Sequence, residues 1–125
     1  MVHQPVHVVT TKDEVNLLRG HADAVAAWSH AGADLILGGH IHLPYVRSLR
    51  ERHPELARSV WTAQAGTAVS ARVRGAVPNS VNVIRYDAEV SPASCQVERW
   101  DCVPGSGRFA IVESVGFELD RRAVN

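Results

Sequence analysis

Two histidines, His40 and His42, stand two residues apart directly after a short apolar run. The run Leu35-Ile36-Leu37 predicts a buried strand, and Gly38-Gly39 predicts that the strand ends and a loop opens before the histidines. In an extended segment, side chains two residues apart point to the same side, so both imidazoles could reach one metal cluster. Imidazole is the commonest metal-binding side chain near neutral pH. The alternative is a pair of hydrogen-bonded loop histidines.

Other residues suited to metal or phosphate chemistry lie on either side of this pair. His3 precedes Gln-Pro near the start of the chain, and His7 follows four residues later. Thr67 lies in a Gly-Thr turn, and Arg72 and Arg74 follow it on one predicted strand face. Arginine can bind phosphate bidentately, whereas a salt-bridged surface is the commoner role for such a pair. A loop role for His7 and a tight bend at the Gly-Thr turn are the corresponding alternatives.

The order of these motifs over residues 1–90 is H-x-P, then GHxH, then GT…S…R…NS. This order resembles the C-terminal half of the calcineurin-like metallophosphoesterases, most nearly the bacterial cyclic-nucleotide and glycerophosphodiester phosphodiesterase type. The resemblance implies an αββα sandwich that hydrolyses phosphodiesters or phosphomonoesters at a centre of two divalent ions (Fe, Mn or Zn). It implies that His3, His40 and His42 are metal ligands and that the turn of Thr67 lies near the substrate.

The chain also departs from this family. It contains no D-x-H and no G-N-H-D motif, which carry the family's first metal ligands, and Gln4 replaces the second histidine of the H-H-P motif. We therefore expect one partial domain over residues 1–125, with the N-terminal half of the family domain absent. Such a chain would supply only the later histidine ligands, bind zero or one metal ion, and hydrolyse little or no phosphoester by itself. Arg72 and His7 are further candidates for substrate contact.

Composition narrows the classes of partner. The 125 residues include 13 basic and 13 acidic side chains, so the formal net charge is zero and a nucleic-acid partner is not expected. No apolar stretch reaches the length of about 20 residues that spans a bilayer, and no signal peptide is evident. Two cysteines without C-x-x-C spacing indicate reduced thiols, so the expected location is cytoplasmic and the expected substrate is a small phosphoester.

The expected fold class is α/β, mainly β with one or two short helices. Thr11 and Glu14 have the spacing of a capping box, which predicts a helix to about residue 19. A second helix is predicted over 21–30 because its apolar side chains recur at helical spacing. Predicted strands cover 33–37, 45–50, 60–65, 68–74, 80–86, 95–103 and 109–119. An exposed sheet edge would make a homo-oligomer, or pairing with the missing half, plausible.

Two alternatives to a phosphoesterase half remain open at this point. One is a non-catalytic fragment or partner-binding half-domain, which would complete its site from another polypeptide. The other is a small zinc protein that binds one ion through His3, His40 and His42.

Overall fold

The computed structural model of this chain describes residues 1–121, which form two three-stranded sheets and few short helices. One α-helix, α1, spans His21–His30, and two 3₁₀ helices span Thr11–Asn16 and Leu49–Glu51. The strands are β1 (Leu35–Gly38), β2 (Tyr45–Ser48), β3 (Trp61–Gln64), β4 (Ser80–Asp87), β5 (Ser94–Val103) and β6 (Arg108–Glu118). The longest helix of residues 1–121 has 10 residues, and none could span a membrane.

The first sheet has the strand order β1-β3-β2, in which β1 pairs parallel to β3 and β2 pairs antiparallel to it. Residues 2 and 3 run beside β1. The amide of Val2 donates to the carbonyl of Leu37 at 2.8 Å, and the amide of Gly39 donates to the carbonyl of His3 at 3.1 Å. These two hydrogen bonds bring the start of the chain to the loop that follows β1.

Both faces of the first sheet are covered. On one face, Ile36 packs with the fully buried Val25 of α1 in one hydrophobic cluster. On the other face, Leu35 and Leu37 pack toward the second sheet, an antiparallel meander of order β4-β5-β6. The alternation of side chains along β1 therefore builds a core on each side, giving a helix layer, a sheet and a second sheet.

The contact between the two sheets includes an aromatic pair. The rings of Trp61 on β3 and Phe117 on β6 stack with centroids 4.6 Å apart and an interplanar angle of 10°. Cys95 and Val97 of β5 belong to the same buried cluster. Both cysteines of the chain are free thiols in the described residues, as the sequence predicts.

The mixed α/β class, dominated by strands, is confirmed. The helix over 21–30 has the predicted bounds, and the predicted strands over 80–86, 95–103 and 109–119 correspond to β4, β5 and β6. The predicted capping box does not form. The cap position is Thr10, whose hydroxyl donates to Asp13 at 2.5 Å, while Glu14 pairs with Arg52.

The predicted strand over 68–74 is wrong, because this segment is an irregular loop. Side chains satisfy its backbone locally: the amide of Ser70 donates to the hydroxyl of Thr67 at 3.0 Å, and Asn79 Nδ2 donates to the carbonyls of both residues. Val69 is 95% exposed, so the β-branched residues here have no core to cover.

Candidate functional site

The histidine loop begins where β1 ends, and close packing requires a glycine at position 38. A Cβ atom at Gly38 would collide with the side-chain amide of Gln64 on β3. Gln64 is 1% exposed and donates through Nε2 to the carbonyl of Gly39. The first sheet thus holds both the start of the loop and the residue before the first histidine.

His40 and His42 both adopt left-handed backbone conformations, with φ of 73° and 56°. The expected extended geometry, with the two rings on one side of a strand, is therefore wrong. A left-handed conformation costs a side chain other than glycine about 1–2 kcal/mol. Two such residues in one short loop are unusual, and strain of this kind is concentrated at functional sites.

His3 and His40 meet across a sequence separation of 37 residues. Nδ1 of His40 lies 3.0 Å from Nε2 of His3, and the ring centroids are 4.8 Å apart in an edge-to-face arrangement. Both side chains are exposed at the surface. The contact follows from the register of residues 2 and 3 beside β1, which the sequence order of the two motifs does not reveal.

His42 is oriented by a different partner. Its Nδ1 lies 2.7 Å from the carbonyl oxygen of Arg72, and because a carbonyl only accepts, Nδ1 carries the proton and donates. Nε2 of His42 is then the nitrogen with a free lone pair. A backbone carbonyl that fixes the tautomer in this way is the usual outer partner of a metal-binding histidine.

The three histidines line one open cleft of about 690 Å³. Thr67 and Arg72, both predicted substrate contacts, line it too. The Thr67 hydroxyl accepts a hydrogen bond from Ser70, whereas the guanidinium of Arg72 has no hydrogen bond or ion pair within residues 1–121. The cleft therefore offers one uncommitted cation beside the histidines. Its lining residues are His3, His40, Ile41, His42, Gly66, Thr67, Ala68, Arg72, Val73 and Arg74.

His7, the remaining predicted substrate contact, does not line this cleft. It is 6% exposed, its Nε2 lies 3.7 Å from Glu51, and its carbonyl accepts from the hydroxyl of Tyr45 at 2.6 Å. Burial lowers the pKa of His7, with Glu51 opposing that shift and Arg52 adding to it. Its surroundings are those of an interior residue.

An ion pair between Asp13, which the sequence did not single out, and Arg74, which it offered for phosphate or a salt bridge, is built into the site. Arg74 Nη1 donates to Asp13 at 2.7 Å and to the carbonyl of Ile41, between the two histidines, at 3.2 Å. Burial raises the pKa of Asp13, but hydrogen bonds from Arg74 and Thr10 outweigh it and leave the pKa below its usual value. No sequence signal links residues 61 positions apart, as Asp13 and Arg74 are.

The donor set suits part of a metal site. Two nitrogens bound to one tetrahedral Zn²⁺ are roughly 3.3 Å apart, close to the 3.0 Å between His3 and His40. However, residues 1–121 contain no group of three or more His, Cys, Asp or Glu side chains placed to hold one ion. The cleft lining includes no carboxylate, so the described residues do not fit a centre of two dications.

Comparisons with known proteins identify no relative: no protein-family model, no curated protein and no solved structure matches this chain. The likeness to metallophosphoesterases therefore remains a prediction from the sequence motifs. A function for the cleft has to be proposed from its own residues.

Proposed function

We propose that this chain supplies the histidine side of a metal-dependent phosphoesterase site. The observation that carries the proposal is the meeting of His3 with His40 in the cleft that also contains His42 and Arg72. Imidazole nitrogens and a free guanidinium are the groups that bind a divalent ion and a phosphate, respectively. His3 and His40 would hold one ion, and the Nε2 of His42 would face either that ion or a second one.

Arg72 and Thr67 have separate roles in this proposal, beside the histidines that would bind the ion. When bound, a divalent ion supplies Lewis-acid polarisation of a phosphoryl oxygen and a hydroxide nucleophile near neutral pH. Arg72 would bind and orient the phosphate through its guanidinium, and Thr67 would contact the ester from the lining of the cleft. The carboxylates that offset the charge of two dications would come from another segment or chain, because the described cleft has none.

A mononuclear zinc protein is the second candidate, favoured by the all-histidine donor set of the cleft. The two proposals differ in what the loaded site does with phosphate. A phosphoesterase site keeps an open position for an anion next to a cation, whereas a purely structural zinc site is closed.

The test is a calorimetric titration of the metal-free full chain with Zn²⁺, for wild type, His40→Ala and His30→Ala. His30 is an exposed histidine on α1, outside the cleft, and serves as the control. We expect at most one ion per chain, with affinity lost in His40→Ala and kept in His30→Ala. Absence of zinc binding, or equal losses in both variants, would contradict the proposal.

Inorganic phosphate, titrated into the zinc-loaded chain, separates the two candidates. Phosphate binding that falls about tenfold or more in Arg72→Ala, and not in the exposed Arg19→Ala, supports the phosphoesterase site. Zinc binding without any phosphate binding favours the structural zinc protein. We expect the chain alone to show little turnover of a generic diester, and robust hydrolysis abolished by His40→Ala would overturn the view that it holds only part of the site.

A further inference from the structure

Ile41, the residue between the two left-handed histidines, is fixed at three points. Its side chain is 6% exposed, and its amide donates to the carbonyl of Gly39 at 2.9 Å. Its carbonyl accepts from Arg74 Nη1 at 3.2 Å. The carbonyl belongs to the peptide that joins Ile41 to His42, so the arginine acts directly on the backbone that orients the second histidine.

Arg74 is itself held by a buried carboxylate. The same Nη1 donates to Asp13 at 2.7 Å, and Asp13 is 3% exposed. Thr10 and Asn16 also donate to this carboxylate, at 2.5 and 3.4 Å. The two carboxylate oxygens of Asp13 thus accept three hydrogen bonds, from Thr10, Asn16 and Arg74. Asp13 nevertheless lines a cavity that His40 also lines.

The segment that carries Arg74 touches the histidine loop a second time. The carbonyl of Arg72, two residues earlier, accepts from His42 Nδ1. Fixing Arg74 against Asp13 therefore also fixes the position of the carbonyl that sets the tautomer of His42. Asp13, Arg74 and the Arg72 carbonyl form one continuous connection from the first 3₁₀ helix to the histidine loop.

We propose that Asp13 and Arg74 are positioning residues, which hold His40 and His42 in left-handed conformations and so present their nitrogens to a metal ion. The inference rests on the proposed function for its purpose, but its geometric part concerns the chain without metal. Arg74 thereby has a different role from Arg72, although both line the cleft. Arg72 keeps a free guanidinium for an anion, whereas the guanidinium of Arg74 is occupied.

The first experiment tests the geometry in the metal-free full chain by NMR. A positive φ shortens the distance between the amide proton and Hα, which gives strong intraresidue nuclear Overhauser effects for His40 and His42 in wild type. We expect these signals to weaken in Arg74→Ala and Asp13→Ala. Arg74→Lys should restore them in part, because one ammonium can reach Asp13 or Ile41 but does not match the fork of a guanidinium.

The matched control is Arg52→Ala. Arg52 pairs with Glu14, the neighbour of Asp13 on the same 3₁₀ helix, and touches no residue of the histidine loop in residues 1–121. The substitution Arg52→Ala removes an ion pair from the same 3₁₀ helix. A general loss of stability would therefore weaken the histidine signals in both variants, whereas a positioning role predicts the loss in Arg74→Ala alone.

The second experiment titrates Co²⁺ into the same variants and follows the visible absorption of the bound ion. Loss of an outer partner of a metal ligand typically weakens affinity by about 10–100-fold, and we expect that range for Arg74→Ala, with Arg52→Ala unchanged. If Arg74→Ala is too unstable to study, Arg74→Lys gives the same comparison with a smaller loss.

The outcomes separate this inference from the proposed function. Unchanged histidine signals in Arg74→Ala would overturn the positioning role, whatever the metal does. If the histidine signals weaken in Arg74→Ala but the wild-type chain binds no Co²⁺, the positioning role is supported and the proposed metal site is overturned. Equal effects of Arg52→Ala and Arg74→Ala in both experiments would reduce Arg74 to a structural residue and overturn the inference.

Discussion

Two sets of three histidines lie in different environments in this molecule. The cleft set, His3, His40 and His42, sits at an open surface, where each ring has a close partner. The interior set consists of the buried His7 and His53 and of His21, the half-buried first residue of α1, whose ring centroid lies 5.9 Å from that of His53. Each ring of the interior set has one buried nitrogen without a hydrogen-bond partner in residues 1–121.

The comparison shows that sequence context does not separate a binding histidine from an interior one. His3 lies two residues before a proline and His53 directly precedes one, yet the first lines the cleft and the second is 6% exposed. His3 and His40 are exposed whereas His7 and His53 are buried, and the half-buried His42 and His21 differ in that only His21 has a buried ring nitrogen without a partner in residues 1–121. The cleft set is suited to bind an ion, whereas burial lowers the pKa of His7 and His21 and so favours their neutral form.

The largest expected effect is acid destabilisation through the interior set. Burial lowers the pKa of His7 and His21 from 6.5, and the charges of Arg52 and His53 act in the same direction while Glu51 and Glu14 oppose it. Below pH 6.5 the unfolded chain thus binds more protons than the folded chain. The free energy of unfolding therefore decreases as the pH is lowered, until the pH reaches the lowered pKa values. The slope is at most about 1.4 kcal/mol per pH unit for each proton.

Urea unfolding of the metal-free chain between pH 7.5 and about 5 measures this slope. His7→Gln with His21→Gln should flatten it, while His30→Gln, at an exposed position on α1, should leave it unchanged. The absolute stability of the double variant does not matter, because the readout is the pH dependence. A slope that survives the double substitution would show that the interior set is not its source.

An intermediate effect is expected at the edge of the interior set. Tyr45 is 7% exposed and donates its hydroxyl to the carbonyl of His7 at 2.6 Å, and burial raises the pKa of the phenol well above its usual value. Tyr45→Phe leaves a buried carbonyl unsatisfied, which costs about 1–3 kcal/mol of unfolding free energy. Tyr86→Phe, at a residue that is 57% exposed, is the control and should change stability by less than about 0.5 kcal/mol.

The smallest effect concerns backbone strain in the cleft set. At position 40, where φ is 73°, the His40→Gly variant should have an unfolding free energy about 1 kcal/mol higher than His40→Ala, because alanine keeps the backbone strain and glycine does not. In the middle of α1 the order reverses, and Ala26→Gly should cost about 1 kcal/mol. Thermal unfolding of the metal-free variants measures both. The same sign at the two positions would mean that the loop is not left-handed in solution.

Regular elements could be predicted because their signals are local. The helical spacing of Val25 and Trp28 and the glycine after α1 define that helix, and turn residues separate β4, β5 and β6. The cleft could be predicted only in part. His3, His40 and His42 share it as expected, but their left-handed backbone and the Asp13–Arg74 ion pair depend on contacts between distant segments.

Val112 of β6 has no partner on β5: Arg99 faces Glu113, whereas Trp100, the next residue, faces Ile111. Because Val112 is an extra residue, the hydrogen-bonding groups on the free edge of β6 before Val112 are out of phase with those after it. A strand from another chain could follow that edge over only half its length before the donors and acceptors cease to match. The strand that leaves Phe109, Ile111 and Val112 exposed thus also carries the irregularity that limits sheet growth between molecules.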